Sequence, residues 1–220
     1  MRTINLSPRI FKNFSEVKTY FVVGQFSFDL SDSQMATEER QKLMQSLGLT
    51  SSQLVSLWQQ HGIEVIDVVD ETVDFLKPEI LRADGLLTAK KDLYLVVKTA
   101  DCLPILFYTA QKKVVGTIHA GWRGTERQIL PNAINGLIER LNCPKEDFYF
   151  YFGPAAQKCC YGGSHGDFVQ DNLNQLHTLG IKDSQIENSG ICSIHNLNYP
   201  SHKREKQTRK EVILSIIGMK

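Results

Sequence analysis

The sequence lacks the features that mark several large classes of protein. Basic and acidic residues nearly balance, with 25 Lys and Arg against 24 Asp and Glu, so no excess charge attracts the chain to nucleic acid or to an anionic membrane. No apolar run approaches the roughly 18 residues that a membrane span requires, and the N-terminal residues lack the apolar core of a signal peptide. We therefore expect a protein that binds neither nucleic acid nor membrane.

Cysteine is scarce, and its placement is uneven. The chain has five cysteines, which is an odd number, and Cys159 and Cys160 are adjacent. A secreted disulfide framework normally has an even count and dispersed spacing. The pattern favours a reducing compartment, and we expect a cytoplasmic protein.

Linkers and internal repeats are also missing from the 220 residues, so we expect one catalytic domain over residues 1–220. Short runs rich in Val, Ile, Leu and Tyr fill residues 85–119 and predict a dense β region. Residues 38–47, 126–141 and 167–179 show the apolar spacing of helices. Blocks of strands with helices between them predict an α+β fold with mixed or antiparallel sheets.

Three potential metal ligands lie at the ends of predicted strands. His61 is in the segment WQQHG, Cys102 in TADCLP and His119 in HAGWRG. Two imidazoles and a thiolate suit zinc, and three protein ligands leave a fourth position for water or substrate, as in a catalytic site. These ligands are far apart and form no CxxC or HExxH pattern. Scattered polar residues, with Cys102 as a small core residue, are therefore the alternative interpretation.

Charged residues accompany these ligands. Asp101 directly precedes Cys102 and could orient a ligand or a substrate group, or simply cap the strand end. Arg123 follows His119 closely, between two glycines that allow the backbone to approach a ligand. A guanidinium can bind an anion through two donors. The alternative for this segment is a tight turn with an exposed arginine.

These segments also resemble those of a known family, the YfiH-like, laccase-domain (polyphenol oxidase) proteins. Members of that family are regarded as zinc-dependent purine nucleoside phosphorylases with adenosine deaminase activity. The matching stretches are WQQHG (58–62), RADGLLT (82–88), KTADCLPILF (98–107), TIHAGWRGT (117–125) and FGPAAQKCCY (152–161).

The resemblance implies that His61, Cys102 and His119 are the metal ligands, with zinc rather than copper as the cofactor. It also implies sheets sandwiched between helices in α/β/β/α layers. The implied partners are small molecules, namely phosphate and a purine nucleoside such as adenosine, inosine or methylthioadenosine. Neither the sequence nor the resemblance indicates an oligomeric state.

Two departures from the family pattern fall in the expected substrate pocket. The usual early Arg-Gly-Gly-Val-Ser stretch is replaced by VGQFSFDLSDSQ, and the late Ser-Tyr-Arg-Arg stretch is replaced by SHKR at Ser201–Arg204. With the early arginine absent, Arg123 and Arg204 are the candidates for holding phosphate. Asp101 is the third catalytic candidate, and His202 is expected near the pocket.

The remaining cysteines and histidines are expected to have no role in the chemistry. The family stretch that contains Cys159 and Cys160 holds no ligand position, so we expect both to be buried structural residues. Cys192 is also expected to be structural. His165 and His195 lie in polar surroundings and are expected at the surface.

Three other functions remain open. A metal-free hydrolase would use Cys102 as the nucleophile and His119 as the base. A copper-dependent polyphenol oxidase would need many imidazoles, commonly in His-x-His pairs, whereas this chain has 6 histidines and no such pair. A non-enzymatic damage-control protein would keep the fold despite the two departures.

Overall fold

The structure is a computed structural model that describes residues 1–26, 34–69, 81–161, 166–205 and 211–220, with the backbone alone at 34–37. The strands in these ranges are β1 (Arg2–Thr3), β2 (Val17–Gly24), β3 (Leu54–Ser56), β4 (Val65–Asp67), β5 (Gly85–Thr88), β6 (Tyr94–Thr99), β7 (Leu103–Thr109), β8 (Val114–Ala120), β9 (Phe148–Phe152), β10 (Ile186–Asn188) and β11 (Val212–Met219).

The helices in the same ranges lie between groups of strands along the chain. They are α1 (Gln34–Leu47), α2 (Trp122–Glu126), α3 (Ile129–Leu141), α4 (Lys158–Tyr161), α5 (Phe168–Thr178) and α6 (His202–Glu205). In the part of the chain that is described, none of them has the length and apolar character needed to cross a bilayer.

The strands form two sheets. One has the order β1-β2-β11-β6-β3, and the other has the order β10-β9-β7-β8-β5-β4. Antiparallel pairs predominate, but β3 pairs with β6, β4 with β5, and β10 with β9 in parallel. Both sheets are therefore mixed, and the predicted α+β fold is confirmed.

Alternating side chains of β7 show how the layers form, because successive side chains of a strand point to opposite faces of its sheet. Leu103, Ile105 and Phe107 pack in a core that includes residues of α3 and α5. Leu106 and Tyr108 pack in a second core that includes residues of β3, β6 and β11 from the other sheet. The two sheets therefore face each other across this second core.

The outer face of the first sheet is covered by α1. Tyr94 and Val96 of β6 share a core with Leu43 and Met44 of the helix, and their neighbour Leu95 faces the other sheet. The layers are thus helix, sheet, sheet and helix, which confirms the α/β/β/α arrangement.

The helix predicted over residues 126–141 is wrong in its first part. Gln128 adopts a left-handed conformation with φ of 61°, which ends α2 and separates it from α3. The short α2 begins directly after Gly121, at the end of β8. Asn172 of α5 donates a 2.7 Å hydrogen bond to the hydroxyl of Thr125, so α2 is held between β8 and α5.

Candidate metal centre

His61, Cys102 and His119 meet at one end of the second sheet. Cys102 lies in the turn between β6 and β7, and His119 lies in the last residues of β8. β7 and β8 are antiparallel neighbours with Leu103 opposite Ala120, so the register brings Cys102 and His119 to the same end of the sheet. The loop after β3 carries His61 to them, and the three residues place ligand atoms within 4.8 Å of one another.

The separation of these atoms fits a metal ion of the size of zinc. Sγ of Cys102 lies 3.9 Å from Nε2 of His61. The rings of His61 and His119 have centroids 4.7 Å apart and stand nearly perpendicular, at 79°. A tetrahedral zinc ion at about 2.3 Å from sulfur and about 2.0 Å from nitrogen places the two atoms about 3.5 Å apart. The observed separation is therefore within about 0.4 Å of that geometry.

One buried carboxylate, that of Asp84, organises two of the three ligands. Its Oδ1 accepts a 2.8 Å hydrogen bond from Nδ1 of His119 and a 2.9 Å bond from the backbone N–H of His61. Its Oδ2 accepts bonds of 2.6 Å and 3.2 Å from the backbone N–H groups of Gly62 and Gln60. With Nδ1 donating to Asp84, the other ring nitrogen of His119 is left for a metal, as in carboxylate–histidine–zinc arrangements.

Gly121 gives the ligands the space they need. A Cβ at this position would lie 3.0 Å from Sγ of Cys102 and 3.2 Å from Cδ2 of His61. The next glycine of the segment, Gly124, packs equally closely, since a Cβ there would lie 3.1 Å from the carbonyl oxygen of Gly62. Both glycines thus allow the α2 backbone to pack onto the loop and the turn that carry the ligands.

The thiol of Cys102 and the imidazole of His119 shift each other's pKa. Burial raises the pKa of Cys102, but His119 and His61 beside it outweigh this effect and lower the pKa. Burial lowers the pKa of His119, but Cys102 and Asp84 outweigh this effect and raise the pKa. For Asp84, burial acts to raise the pKa, and the hydrogen bonds from His119 and Gly62 lower it. The surroundings therefore favour the thiolate, which is the form of cysteine that binds metal, whereas the imidazole of His119 would release a proton when a metal binds.

A cleft of about 500 Å³ opens above these residues. Its walls include Phe26, Gln59, Lys98 and His202, which places His202 beside the candidate centre. The side chain of Gln59 makes two 2.8 Å hydrogen bonds to the backbone of Lys98. Burial lowers the pKa of Lys98 to about 7, and the positive charge of Arg40 adds to the effect. The volume lies within the range of small-molecule sites.

Asp101 lies behind the turn that carries Cys102. Its buried carboxylate accepts 2.7 Å hydrogen bonds from the hydroxyl of Ser193 and from the backbone N–H of Lys203. Its φ of 91° is unusual for a residue other than glycine. Asp101 therefore joins the Cys102 turn to the loop after β10 and to α6.

Arg204 uses its guanidinium to hold the same loop. Nη1 donates to the carbonyl oxygens of Ser193 and Ile194, at 2.7 and 2.8 Å. Nη2 donates to the carbonyl oxygen of Tyr199 and to a carboxylate oxygen of Glu205, at 2.6 and 2.8 Å. These bonds occupy four of the five donors of an arginine. Binding an anion through Arg204 would require some of them to break.

Arg123 is exposed on α2, and its guanidinium lies 4.5 Å from the ring centroid of Trp122. It is outside the walls of the cleft. Its role in binding an anion stays a prediction, as do the roles of Asp101 and Arg204.

The expectation that Cys159 and Cys160 are buried is wrong. Cys159 is exposed and Cys160 is half-buried, because the short α4 that carries them lies at the surface without a buried residue. His195 is exposed, as expected. His165 lies outside the described residues.

The sequence interpretation assigned no role to Asp84 or Lys98. Both lie in stretches that match the family, RADGLLT and KTADCLPILF. A carboxylate directly before a glycine at the start of a strand was the available signal for Asp84. The available signal for Lys98 was its position near the end of an apolar strand, four residues before Cys102, which indicates a buried cation.

Comparison with known proteins gives a family match and a fold match. A family model described as multi-copper polyphenol oxidoreductase laccase matches residues 18–164. Two crystal structures have a TM-score of 0.83 to this chain at 24% identity. One is YlmD from Geobacillus stearothermophilus, and its alignment covers 95% of this chain and 94% of that chain. The other is a hypothetical protein YfiH from Bacillus licheniformis, and its alignment covers 93% of each chain.

Several curated relatives are named purine nucleoside phosphorylase. The protein of Rickettsia prowazekii is 32% identical over 196 residues, which cover 76% of this chain and 78% of that protein. YlmD of Bacillus subtilis is 32% identical over 167 residues, 62% of this chain and 59% of that protein. The protein of Clostridium acetobutylicum is 34% identical over 113 residues, 51% and 46% respectively. The last two matches thus span only about half of the relatives' lengths.

Proposed function

Because the chain belongs to the family described as multi-copper polyphenol oxidoreductase laccase, and curated relatives are named purine nucleoside phosphorylase, we propose that it is a metal-dependent purine nucleoside phosphorylase. The observation that carries the proposal is the convergence of His61, Cys102 and His119 beside a cleft of about 500 Å³, with both histidines hydrogen-bonded to the carboxylate of Asp84.

Zinc is the metal that we propose for this centre, because its donors are two imidazoles and a thiolate. Bound there, zinc supplies a Lewis acid that polarises a substrate group or makes a water molecule more acidic. Asp84 fixes the ring of His119 and the backbone of His61, so both ligands are oriented before the metal binds. A multicopper centre lacks support, since the group offers only two imidazoles.

In phosphorolysis a phosphate oxygen bonds to C1′ of the sugar while the bond from C1′ to the purine nitrogen breaks. The purine leaves with the electron pair and takes up a proton. Cationic side chains must hold the phosphate, and we propose Lys98, in the cleft wall, and Arg123, after a change of rotamer. Phe26 belongs to the apolar part of the cleft wall that would contact the purine. Asp101 and Arg204 act by holding the loop behind the Cys102 turn.

Adenosine deamination is proposed as a second activity of the same centre. In that reaction a water oxygen bonds to the purine carbon that carries the amino group, and ammonia leaves. The base and sugar stay joined, so phosphate is not consumed. Deamination should therefore depend on the metal but not on phosphate concentration.

A metal-free Cys–His hydrolase is the second candidate function. Its support is the order of Cys102, His119 and Asp84, which resembles a nucleophile, a base and an orienting carboxylate. The same three residues serve both candidates. Activity that persists after metal removal would favour the hydrolase.

A panel of nucleosides, incubated with and without phosphate and analysed by chromatography of the products, tests the proposed function. We expect purine base and sugar phosphate to appear only when phosphate is present, and the amino group of adenosine to be lost without it. Absence of both products from every nucleoside, with protein shown to carry metal, would contradict the proposal.

Substitution of Arg123 by lysine tests the anion role of that residue. Lysine cannot present paired donors, and loss of one charge-assisted contact costs about 1.5–3 kcal/mol, or about tenfold to hundredfold in rate. Phosphate-dependent turnover should fall by this factor in Arg123→Lys, and deamination should fall less. Arg127→Lys, an exposed position on the same turn, is the matched control. Equal loss of both activities would indicate that Arg123 only braces the turn.

A further inference from the structure

A second group of metal-binding side chains lies outside the candidate metal centre. Cys159 and Cys160 on α4, and Cys192 and His195 in the loop after β10, place ligand atoms within 4.8 Å of one another. All three cysteines are free thiols in the structure. Three thiols and one imidazole make up one of the common ligand sets of structural zinc.

The distances within this group match a tetrahedral site. Sγ of Cys159 lies 3.9 Å from Sγ of Cys160 and 3.5 Å from Nδ1 of His195. Around a zinc ion with bonds of about 2.3 Å to sulfur and about 2.0 Å to nitrogen, two sulfurs lie about 3.8 Å apart and sulfur and nitrogen about 3.5 Å apart. These two separations are therefore those of zinc ligands, and the remaining ligand atoms of the group lie within 4.8 Å of one another.

Backbone contacts hold the two halves of the group together. Ala155 forms an isolated parallel bridge with Cys192, and its carbonyl oxygen accepts a 3.0 Å hydrogen bond from the N–H of Ser193. The N–H of Asn196 donates to the carbonyl oxygen of Cys192 at 3.0 Å, which closes a turn from Cys192 to His195. Two residues separate that cysteine and histidine, a spacing typical of paired zinc ligands.

We propose that Cys159, Cys160, Cys192 and His195 bind a structural zinc ion. Four protein ligands complete the tetrahedron and leave no position for substrate, which distinguishes this site from the three-ligand centre. Each thiol releases its proton to solvent on binding, so three thiolates and the ion carry one net negative charge. The ammonium of Lys203 lies nearby and donates a 2.7 Å hydrogen bond to the carbonyl oxygen of Cys160.

This zinc would stabilise the surroundings of the candidate metal centre. Ser193, between two of the proposed ligands, donates to the carboxylate of Asp101. Lys203 donates to the same carboxylate through its backbone and to Cys160 through its side chain. The ion would thus fix the loop that holds Asp101 and, through it, the turn of Cys102. Loss of the zinc should lower the melting temperature and raise the KM for nucleoside.

The test measures zinc per chain on full-length protein purified without chelator. Cys102→Ser removes a ligand of the candidate metal centre, so zinc remaining in this variant reports the second group. We expect about one ion in Cys102→Ser and nearly none after His195→Gln or Cys159→Ser is added. His195 and Cys159 are both exposed, so these changes should leave the fold intact, as circular dichroism can verify.

Cobalt provides a second readout that does not depend on enzyme activity. Cobalt-loaded Cys102→Ser protein should show the intense charge-transfer absorbance of several thiolates, and adding His195→Gln should remove this absorbance and the tetrahedral bands. His177→Gln, which alters an exposed histidine bonded to Asp183, is the matched control and should keep both zinc and spectrum.

Either of two results would overturn the proposal. One is a zinc content in the His195→Gln and Cys159→Ser proteins equal to that of His177→Gln. The other is a Cys102→Ser protein that holds no zinc and in which mass spectrometry without reduction finds a disulfide among Cys159, Cys160 and Cys192. The test stands apart from the proposed enzyme activity, which can fail while the second group still binds zinc.

Discussion

Replacement of Asp84 by asparagine should weaken metal binding, although Asp84 contacts two of the ligands and is not itself a ligand. Asparagine has nearly the same shape, but it has one acceptor oxygen where aspartate has two. The carboxylate now accepts four hydrogen bonds, two on each oxygen, from His119, His61, Gly62 and Gln60. Whichever way the amide turns, its NH2 group faces two N–H donors.

The magnitude follows from those bonds. If the amide oxygen stays with His119 and His61, the N–H groups of Gly62 and Gln60 lose their acceptor. If it turns round, both ligands lose their orienting contact. A buried donor without a partner costs about 1–3 kcal/mol of stability. Loss of an outer contact to a metal-binding histidine typically costs about tenfold to hundredfold in metal affinity, or about 1.4–2.7 kcal/mol.

The assay is competition for zinc against a chelator of known affinity at constant pH. We expect the zinc Kd of Asp84→Asn to rise about tenfold to hundredfold. Asp147→Asn is the matched control, because Asp147 is also buried and accepts hydrogen bonds of 2.8 and 2.9 Å from the N–H of Gln111. It should lower stability and leave zinc affinity unchanged. Equal zinc affinity in Asp84→Asn and the unaltered protein would refute the role given to Asp84.

Two further predictions concern packing and pH. Gly121→Ala should weaken zinc binding, because its Cβ would lie 3.0 Å from Sγ of Cys102. Gly136→Ala is the control: nothing lies within 4 Å of its Cβ, so it should leave zinc binding unchanged and stabilise α3 by about 0.5–1 kcal/mol. Chelator competition measures the zinc affinity of both variants, and thermal unfolding measures their stability. The hydrogen bond from Lys113 contributes most to a Glu16 pKa lowered to about 2, so Glu16 stabilises the fold above its unfolded pKa of about 4.3, and this contribution is lost as pH falls toward 2. Glu16→Gln should therefore cost up to about 1 kcal/mol at pH 7 and progressively less as the pH falls through 2. A gap in unfolding free energy that does not narrow at low pH would contradict this assignment.

The sequence could predict the α+β class and the three candidate ligands, because both are expressed by local patterns, whereas the order of the layers was implied only by the family resemblance. Short runs of apolar residues mark strands such as β7, and the segments TADCLP and HAGWRG place Cys102 and His119 at strand ends. The break at Gln128 was not predictable in the same way, since its left-handed conformation interrupts a continuous apolar pattern.

Long-range pairing hid the rest of the site. Asp84 reaches His119 only because β5 and β8 pair with Gly85 opposite Ile118, and no spacing in the sequence expresses that register. The ligands of the second group are likewise divided between α4 and a loop some thirty residues later in the sequence. Their one local signal was the two-residue spacing between Cys192 and His195.

Zinc-dependent phosphorolysis at Cys102 is the central claim, and it can be tested in one comparison. The release of purine base from inosine is measured against phosphate concentration, and zinc content is determined on the same samples. The samples are the unaltered protein, Cys102→Ser, and protein treated with chelator before and after zinc is resupplied. We predict phosphate-dependent release that disappears in Cys102→Ser and on chelation and returns with zinc. Release that continues unchanged in the metal-free protein, or that fails to appear in zinc-loaded protein, would contradict the account.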